Sequence, residues 1–347
     1  MGVVRRSGRG TTQHADYGFF GPESVTWKVW SYPTSLALGF LRAVVVEELD
    51  PFLLASVAQS GQVQARPRLR YDRTMQYFAT VKFGDTASVL AAADTLMKIH
   101  ARAIGTDPVT GRPFDANDPD SQLWIHLTAW HSILYTYEVF GPGKLPAHEE
   151  EQYWEECARA AEFQTIDPAD VPRTREGIRA YFEAYRPRLI ASEVAQGMMD
   201  FLLDADTIVL PPELPAPLRR LFTAATRRAV IATLPRWMRR LGGTPQPAVV
   251  DALAVAVTRP AIRLLAASTT LQLALLKVAS PRTVPVLEPV LRGTPAVAPV
   301  VSSPAEAYAA HGPTPREQYA ALLAARARKE GPAPYPPAHR EPVLDFA

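Results

Sequence analysis

The sequence predicts an all-α fold: a compact single domain of many helices packed at mixed angles. Three observations predict it. Apolar residues recur with a period near 3.6 along most of the chain. Strand-like runs such as Val171 and Ile208–Leu210 are too short to count. With 347 residues, 47% apolar and 21% charged, the chain can bury a sizeable core, and no internal repeat divides it.

The elements follow in order. Pro33–Val46 is rich in Leu, Ala and Val. Asp50-Pro51 sets a carboxylate N-cap before a proline at the first helical position, which predicts a second helix to about Gln59. Leu69–Phe83 is the third, ended by Gly84. Asp85 or Thr86 caps a fourth over Ala87–Ile104, closed by Gly105. Asp107-Pro108 and Thr110-Gly111-Arg112-Pro113 make Thr106–Asn117 a loop. Asp118-Pro119-Asp120 then opens a long helix, about Asp120–Phe140. Further helices are predicted at Ala147–Gln164, Arg175–Ala184, Arg188–Leu203, Leu218–Leu241 and Val249–Ala279, the last bent or broken at Pro260.

Of 33 prolines, 13 lie in residues 281–347, where the one helical pattern is near Glu317–Lys329. This predicts a flexible N-terminus over 1–16, a helical domain over 17–280 and a proline-rich C-terminal arm over 281–347. The arm is either extended and partly ordered, or wrapped on the domain as polyproline structure.

Composition excludes several classes. Lys+Arg 37 against Asp+Glu 35 leaves no basic footprint for bulk nucleic-acid binding. A single cysteine, Cys157, excludes intramolecular disulfides and multi-cysteine metal centres. It sits among apolar neighbours and reads as a buried, inert thiol. Arg5-Arg6 is followed by the polar Ser7–Asp16, which is not an export signal, and Arg6 stands where myristoylation needs Ser or Thr. The most apolar stretch, Ala261–Ser280, contains Arg263 and Lys277 and reads as a core helix rather than a span. The expectation is a cytoplasmic protein.

Glycine-rich phosphate loops, the Gly-x-Ser-x-Gly elbow and His-Glu-x-x-His are all missing. His100 stands out. Leu96, Met97 and Ile104 flank it at helical spacing, so its imidazole faces the core. There it either bonds a carbonyl or carboxylate, or serves as an axial ligand to haem iron. His126 and His131, at i and i+5, point too far apart to chelate one metal. Arg70, Arg73 and Thr74, at i, i+3 and i+4, share one helix face. That face is either solvated or an anion- and oxygen-directed donor set. Leu218–Leu241 carries seven arginines and no acid, interleaved with apolar residues. It is either a surface helix paired with acids elsewhere or a peripheral membrane contact.

Taken together, several short motifs resemble one family. They are Phe20-Gly21-Pro22-Glu23-Ser24-Val25-Thr26-Trp27, Asp72-Arg73-Thr74, Val81-Lys82-Phe83-Gly84, Ile99-His100-Ala101-Arg102, Gly105-Thr106-Asp107-Pro108, Gly111 to Pro119, and Leu123-Trp124-Ile125-His126. In this order and spacing, over roughly Gly18–Leu210, they resemble the MpaB-type oxygenases, which include the rubber oxygenase catalytic domain. The resemblance implies helices around a haem b pocket, with His100 as axial iron ligand and His126 as a supporting residue. It places Arg70, Arg73 and Thr74 on the distal side. Arg73 replaces the family's lysine, and an arginine stays protonated where a lysine can become a neutral ligand. Asp50 stands where many relatives carry histidine. The implied activity is oxygenation of a hydrophobic, unsaturated, terpenoid or polyprenyl-like molecule by dioxygen, with an unidentified electron donor and C=C cleavage as one outcome. A haem sensor or carrier, and a helical interaction protein without cofactor, are the alternatives.

Overall fold

The computed structural model describes residues 5–6 and 12–328. The expectations for most of 1–16 and for the last part of the arm fall outside them. The fold is all-α as predicted, with only two short antiparallel strand pairs among the described residues.

The helices are α1 (Val25–Trp30), α2 (Phe40–Glu47), α3 (Pro51–Ser60), α4 (Pro67–Phe83), α5 (Thr86–His100), α6 (Pro119–Phe140), α7 (Ala147–Ala161), α8 (Arg175–Tyr185) and α9 (Glu193–Leu202). They continue as α10 (Ala216–Thr233), α11 (Arg236–Leu241), α12 (Ala248–Ala266), α13 (Thr269–Ala279), α14 (Val284–Leu291), α15 (Pro304–His311) and α16 (Pro315–Arg328). The predicted caps do the predicted work. Asp50 accepts the N–H groups of Phe52 and Leu53 at 3.0 and 2.9 Å. Asp85 accepts Ser88 N–H at 2.9 Å, and Asp118 accepts Ser121 N–H at 3.1 Å. Before α2 the chain makes a π-helical turn over Ser35–Gly39. A side chain at Gly39 would meet Ile133 Cδ1 at 2.6 Å, so glycine is what lets this turn lie against α6.

Several boundaries depart from expectation, among them the helix expected from Arg188, which starts at Glu193 behind the Ser192 cap. The fourth helix stops at His100; the Met97 carbonyl there accepts both Ala101 N–H and Asn117 Nδ2–H at 3.0 Å, and the chain then turns away. The predicted loop holds a hairpin, β1 (Ile104–Thr106) and β2 (Pro113–Asp115). Asp107 closes it by accepting Val109 N–H, Thr110 N–H and the Thr110 hydroxyl at 3.1, 2.7 and 2.5 Å. Leu218–Leu241 is two helices, since Pro235 pushes Leu234 into extended backbone. Val249–Ala279 breaks at Ala267–Ser268, and Pro260 lies inside α12. Both Pro260 and Ala256, whose carbonyl the proline cannot bond, are exposed residues.

The core has two lobes. One gathers Trp27, Trp130, Trp154 and Phe163. The other gathers Leu41, Leu49, Trp124, Met199 and Val230. Beyond residue 280 the chain packs back onto the body. Tyr308 is buried in the first lobe, and Ser302 N–H donates to Gly18 O at 2.7 Å. Arg326 donates to Asp115 at 2.5 Å and to Ala101 O at 2.8 Å, so α16 braces the hairpin. No described helix is long and apolar enough to cross a membrane.

Candidate functional site

A cavity of about 240 Å³ opens between the two lobes, walled by α2, α3, α4, the end of α5, the hairpin and the start of α6. Its wall is mostly aliphatic and aromatic. The polar groups that matter in it are Glu47, Glu48, Arg70, Thr74, His100 and Gln122.

His100 reaches the cavity because α5 ends on it and the hairpin folds back beneath. Gln122 Nε2 stands 2.8 Å from His100 Nδ1 and also bonds the Ala116 carbonyl. That carbonyl is itself within bonding reach of the imidazole. Gln122 Oε1 accepts Gln164 Nε2–H at 3.1 Å. Burial, then the nearby Arg70 charge, pushes His100 down to about 4. The imidazole is therefore neutral at pH 7, the form in which a histidine nitrogen can hold a metal.

Arg70 and Thr74 line the same cavity; Arg73, one position off, does not. Positions i and i+4 on α4 share the cavity face, and i+3 falls to the side, where Arg73 is buried. The Thr74 hydroxyl donates to Arg70 O at 2.8 Å. Its proton is thus held by its own helix, which leaves only lone pairs for the cavity.

Glu47 and Glu48 had no signal in the sequence beyond being acids at a helix end. Both are buried in the cavity wall. Burial raises both well above the ordinary carboxylate range, and their mutual proximity raises Glu48 further. Thr128 donates to Glu47 Oε1 at 2.8 Å, whereas Glu48 Oε2 is buried without a partner. The pair therefore stores a proton at neutral pH.

His126 lies behind the wall. Its Nε2 meets the Cys157 carbonyl at 2.9 Å and Cys157 Sγ at 3.4 Å. Burial, then Lys82, pushes it down to about 3. Gln164 reaches toward it as well, with an Oε1 that lacks a sound hydrogen bond. Two amides thus stand in line between the two histidines. Lys82 is 4% exposed, and its Nζ sits 4.8 and 5.0 Å above the rings of Trp30 and Trp130. Burial drives Lys82 down to about 7 and the Cys157 thiol well up, so the thiol is inert. Among the described residues, no group of three His, Cys, Asp or Glu side chains could hold a metal ion.

Within Leu218–Leu241, Arg219, Arg227 and Arg239 pair with Asp206, Asp200 and Asp251 at 3.2, 2.5 and 2.7 Å. Arg220, Arg228, Arg236 and Arg240 make no ion pair among the described residues.

Comparison with known families gives one match. The family model described as ER-bound oxygenase mpaB/B′/rubber oxygenase, catalytic domain, covers residues 27–264. That range contains the whole cavity wall except Leu287 and runs beyond the motifs, through α10 and α11 and most of α12. No curated protein and no solved structure matches the chain.

Proposed function

The chain belongs to the mpaB and rubber-oxygenase catalytic-domain family, and from that premise we propose a haem b-dependent oxygenase of an apolar, unsaturated substrate. One observation carries the cofactor assignment. A single neutral imidazole, His100, sits at the wall of an apolar cavity that also presents the Arg70 guanidinium. That donor set suits haem: one nitrogen for iron, one cation for a propionate or for bound oxygen, and apolar walls for the macrocycle. At about 240 Å³ the cavity lies just below the ~300–1,000 Å³ usual for ligand sites, so entry requires the lining side chains to move outward.

Haem supplies the dioxygen chemistry when bound. The chain's own residues do the rest. With Gln122 Nε2 donating to Nδ1, the His100 proton sits on Nε2. His100 would hold the iron through its unprotonated nitrogen, with the other ring nitrogen keeping its proton. The Ala116 carbonyl, and Gln122 Oε1 if that amide rotates, are the acceptors within reach of that proton. Arg70 is the cationic donor on the cavity side of α4. Glu47 and Glu48 hold a proton beside it. The aliphatic wall selects a terpenoid or polyprenyl-like chain and excludes water. Addition of both oxygen atoms across a C=C bond gives two carbonyl products; insertion of a single oxygen atom would draw two electrons from an external donor to reduce the other to water.

The test is His100→Ala. Purified wild type, reconstituted with haem, should show a stoichiometric Soret band. The variant should keep its helical circular dichroism and lose the band. Unchanged stoichiometric haem in the variant would overturn the ligand assignment, and no stoichiometric haem in wild type would overturn the cofactor.

A further inference from the structure

The helix α12 presents an apolar face to solvent. Val249, Leu253, Val257 and Leu264 are 75, 63, 59 and 70% exposed. At i, i+4, i+8 and i+15 they form one stripe about four turns long. The opposite side of α12 packs inward through Val255 and Ile262. The neighbouring α10, which lies along α12, adds Leu218 and Leu221 at 53 and 67% exposed. The sequence reads Ala261–Ser280, whose first six residues close α12, as a core helix; the structure leaves none of α12 fully buried. Isolated exposed leucines are ordinary, but a continuous stripe is the mark of an interaction surface.

Charge decides what covers it. Residues 214–287 hold eleven Lys and Arg and one acid, Asp251, which Arg239 already neutralises at 2.7 Å. The exposed Arg220, Arg228, Arg236 and Arg240 are left without acidic partners among the described residues. A second copy of the chain docked on this face would bring two cationic surfaces together, which is unfavourable. An anionic bilayer supplies both what the stripe lacks and what the arginines lack. Its acyl boundary takes the leucines and valines, and its headgroup phosphates take the guanidiniums.

We propose that α12, with the exposed edge of α10 and the arginines of α10 and α11, docks the protein on an anionic lipid bilayer. The helix lies in the plane of the interface and does not cross it. This assignment stands whether or not the cavity binds haem.

The experiment is co-sedimentation of the full chain with vesicles of phosphatidylcholine alone, and of phosphatidylcholine mixed with phosphatidylglycerol. Two variants change only exposed side chains: Leu253→Glu with Val257→Glu, and Arg220, Arg236 and Arg240 each →Gln. Circular dichroism melts confirm that both fold. Wild type should bind the anionic vesicles, and binding should weaken with salt. Each variant should lose about two orders of magnitude in affinity. Failure of wild type to bind anionic vesicles at low salt would overturn the proposal. So would variants that bind like wild type, or equal binding to both lipid compositions. A dimer in sedimentation velocity that Leu253→Glu with Val257→Glu abolishes, without vesicle binding by wild type, would assign the face to self-association instead.

Discussion

Replacing Lys82 by methionine should stabilise the protein, by an amount that depends on pH. In the folded state, burial lowers Lys82 from its ordinary 10.5 to about 7. The unfolded chain keeps that proton up to about 10.5, so between the two values the unfolded state binds more protons and folding is favoured as pH rises. At ~1.4 kcal/mol per pH unit, folding around a protonated Lys82 costs of order 5 kcal/mol. The Trp30 and Trp130 rings, 4.8 and 5.0 Å away, offset about 2 kcal/mol of that cost and leave about 3 kcal/mol. Methionine fills the same space with no charge. Urea unfolding of both proteins at several pH values gives the difference directly. Glu47, Glu48 and the histidines are present in both and largely cancel. The advantage of the Lys82→Met variant should be about 3 kcal/mol at about pH 6.5 and shrink, by up to ~1.4 kcal/mol per pH unit, as pH rises toward the ordinary lysine value. A constant difference over that range, or a wild type more stable than the variant at pH 7, would refute the buried-cation account.

Arg70→Ala should keep haem through His100 and lower oxygen turnover about 10²–10³-fold; lost haem with unchanged turnover per haem would make Arg70 a propionate clamp instead. Thr74→Val should change turnover little, because the Thr74 proton is already given to Arg70 O at 2.8 Å; a large drop would refute that. Gln122→Leu should weaken haem binding while leaving the melting temperature within a few degrees, read by haem titration beside a thermal melt. Asp50→Ala removes the α3 cap and the acceptor of Tyr185 Oη at 2.9 Å, and should cost about 1–3 kcal/mol in urea unfolding.

What could be read ahead of the structure was what depends on neighbours in sequence. Asp50, Asp85 and Asp118 announced their helices because a cap needs only the next three residues. His100 could be singled out from Leu96 and Met97 alone, although its third supposed neighbour, Ile104, lies on a strand. The Arg70–Thr74 pairing was visible at helical spacing, but whether i+3 or i+4 faces the cavity depends on how α4 is rotated in the fold. Glu47, Glu48, Gln122 and Gln164 carry no local signal; only the meeting of α2, α6 and the end of α7 makes them wall and relay. The burial of Lys82 is likewise set by Trp130, 48 positions away in the sequence. The exposed face of α12 was hidden for the opposite reason. Apolar composition says a face wants covering, and says nothing of whether the same chain covers it.

The brace between Arg326 and Asp115 spans 211 residues. A ribosome adding ~5–20 residues per second leaves the hairpin without that brace for roughly 10–40 s after Asp115 is made. During that interval His100, Gln122 and the whole of α4 are already synthesised. The supports beneath His100 therefore acquire this strut only after a further 211 residues have been added. A nascent chain has time to sample the unbraced hairpin before Arg326 arrives to hold Asp115 and the Ala101 carbonyl.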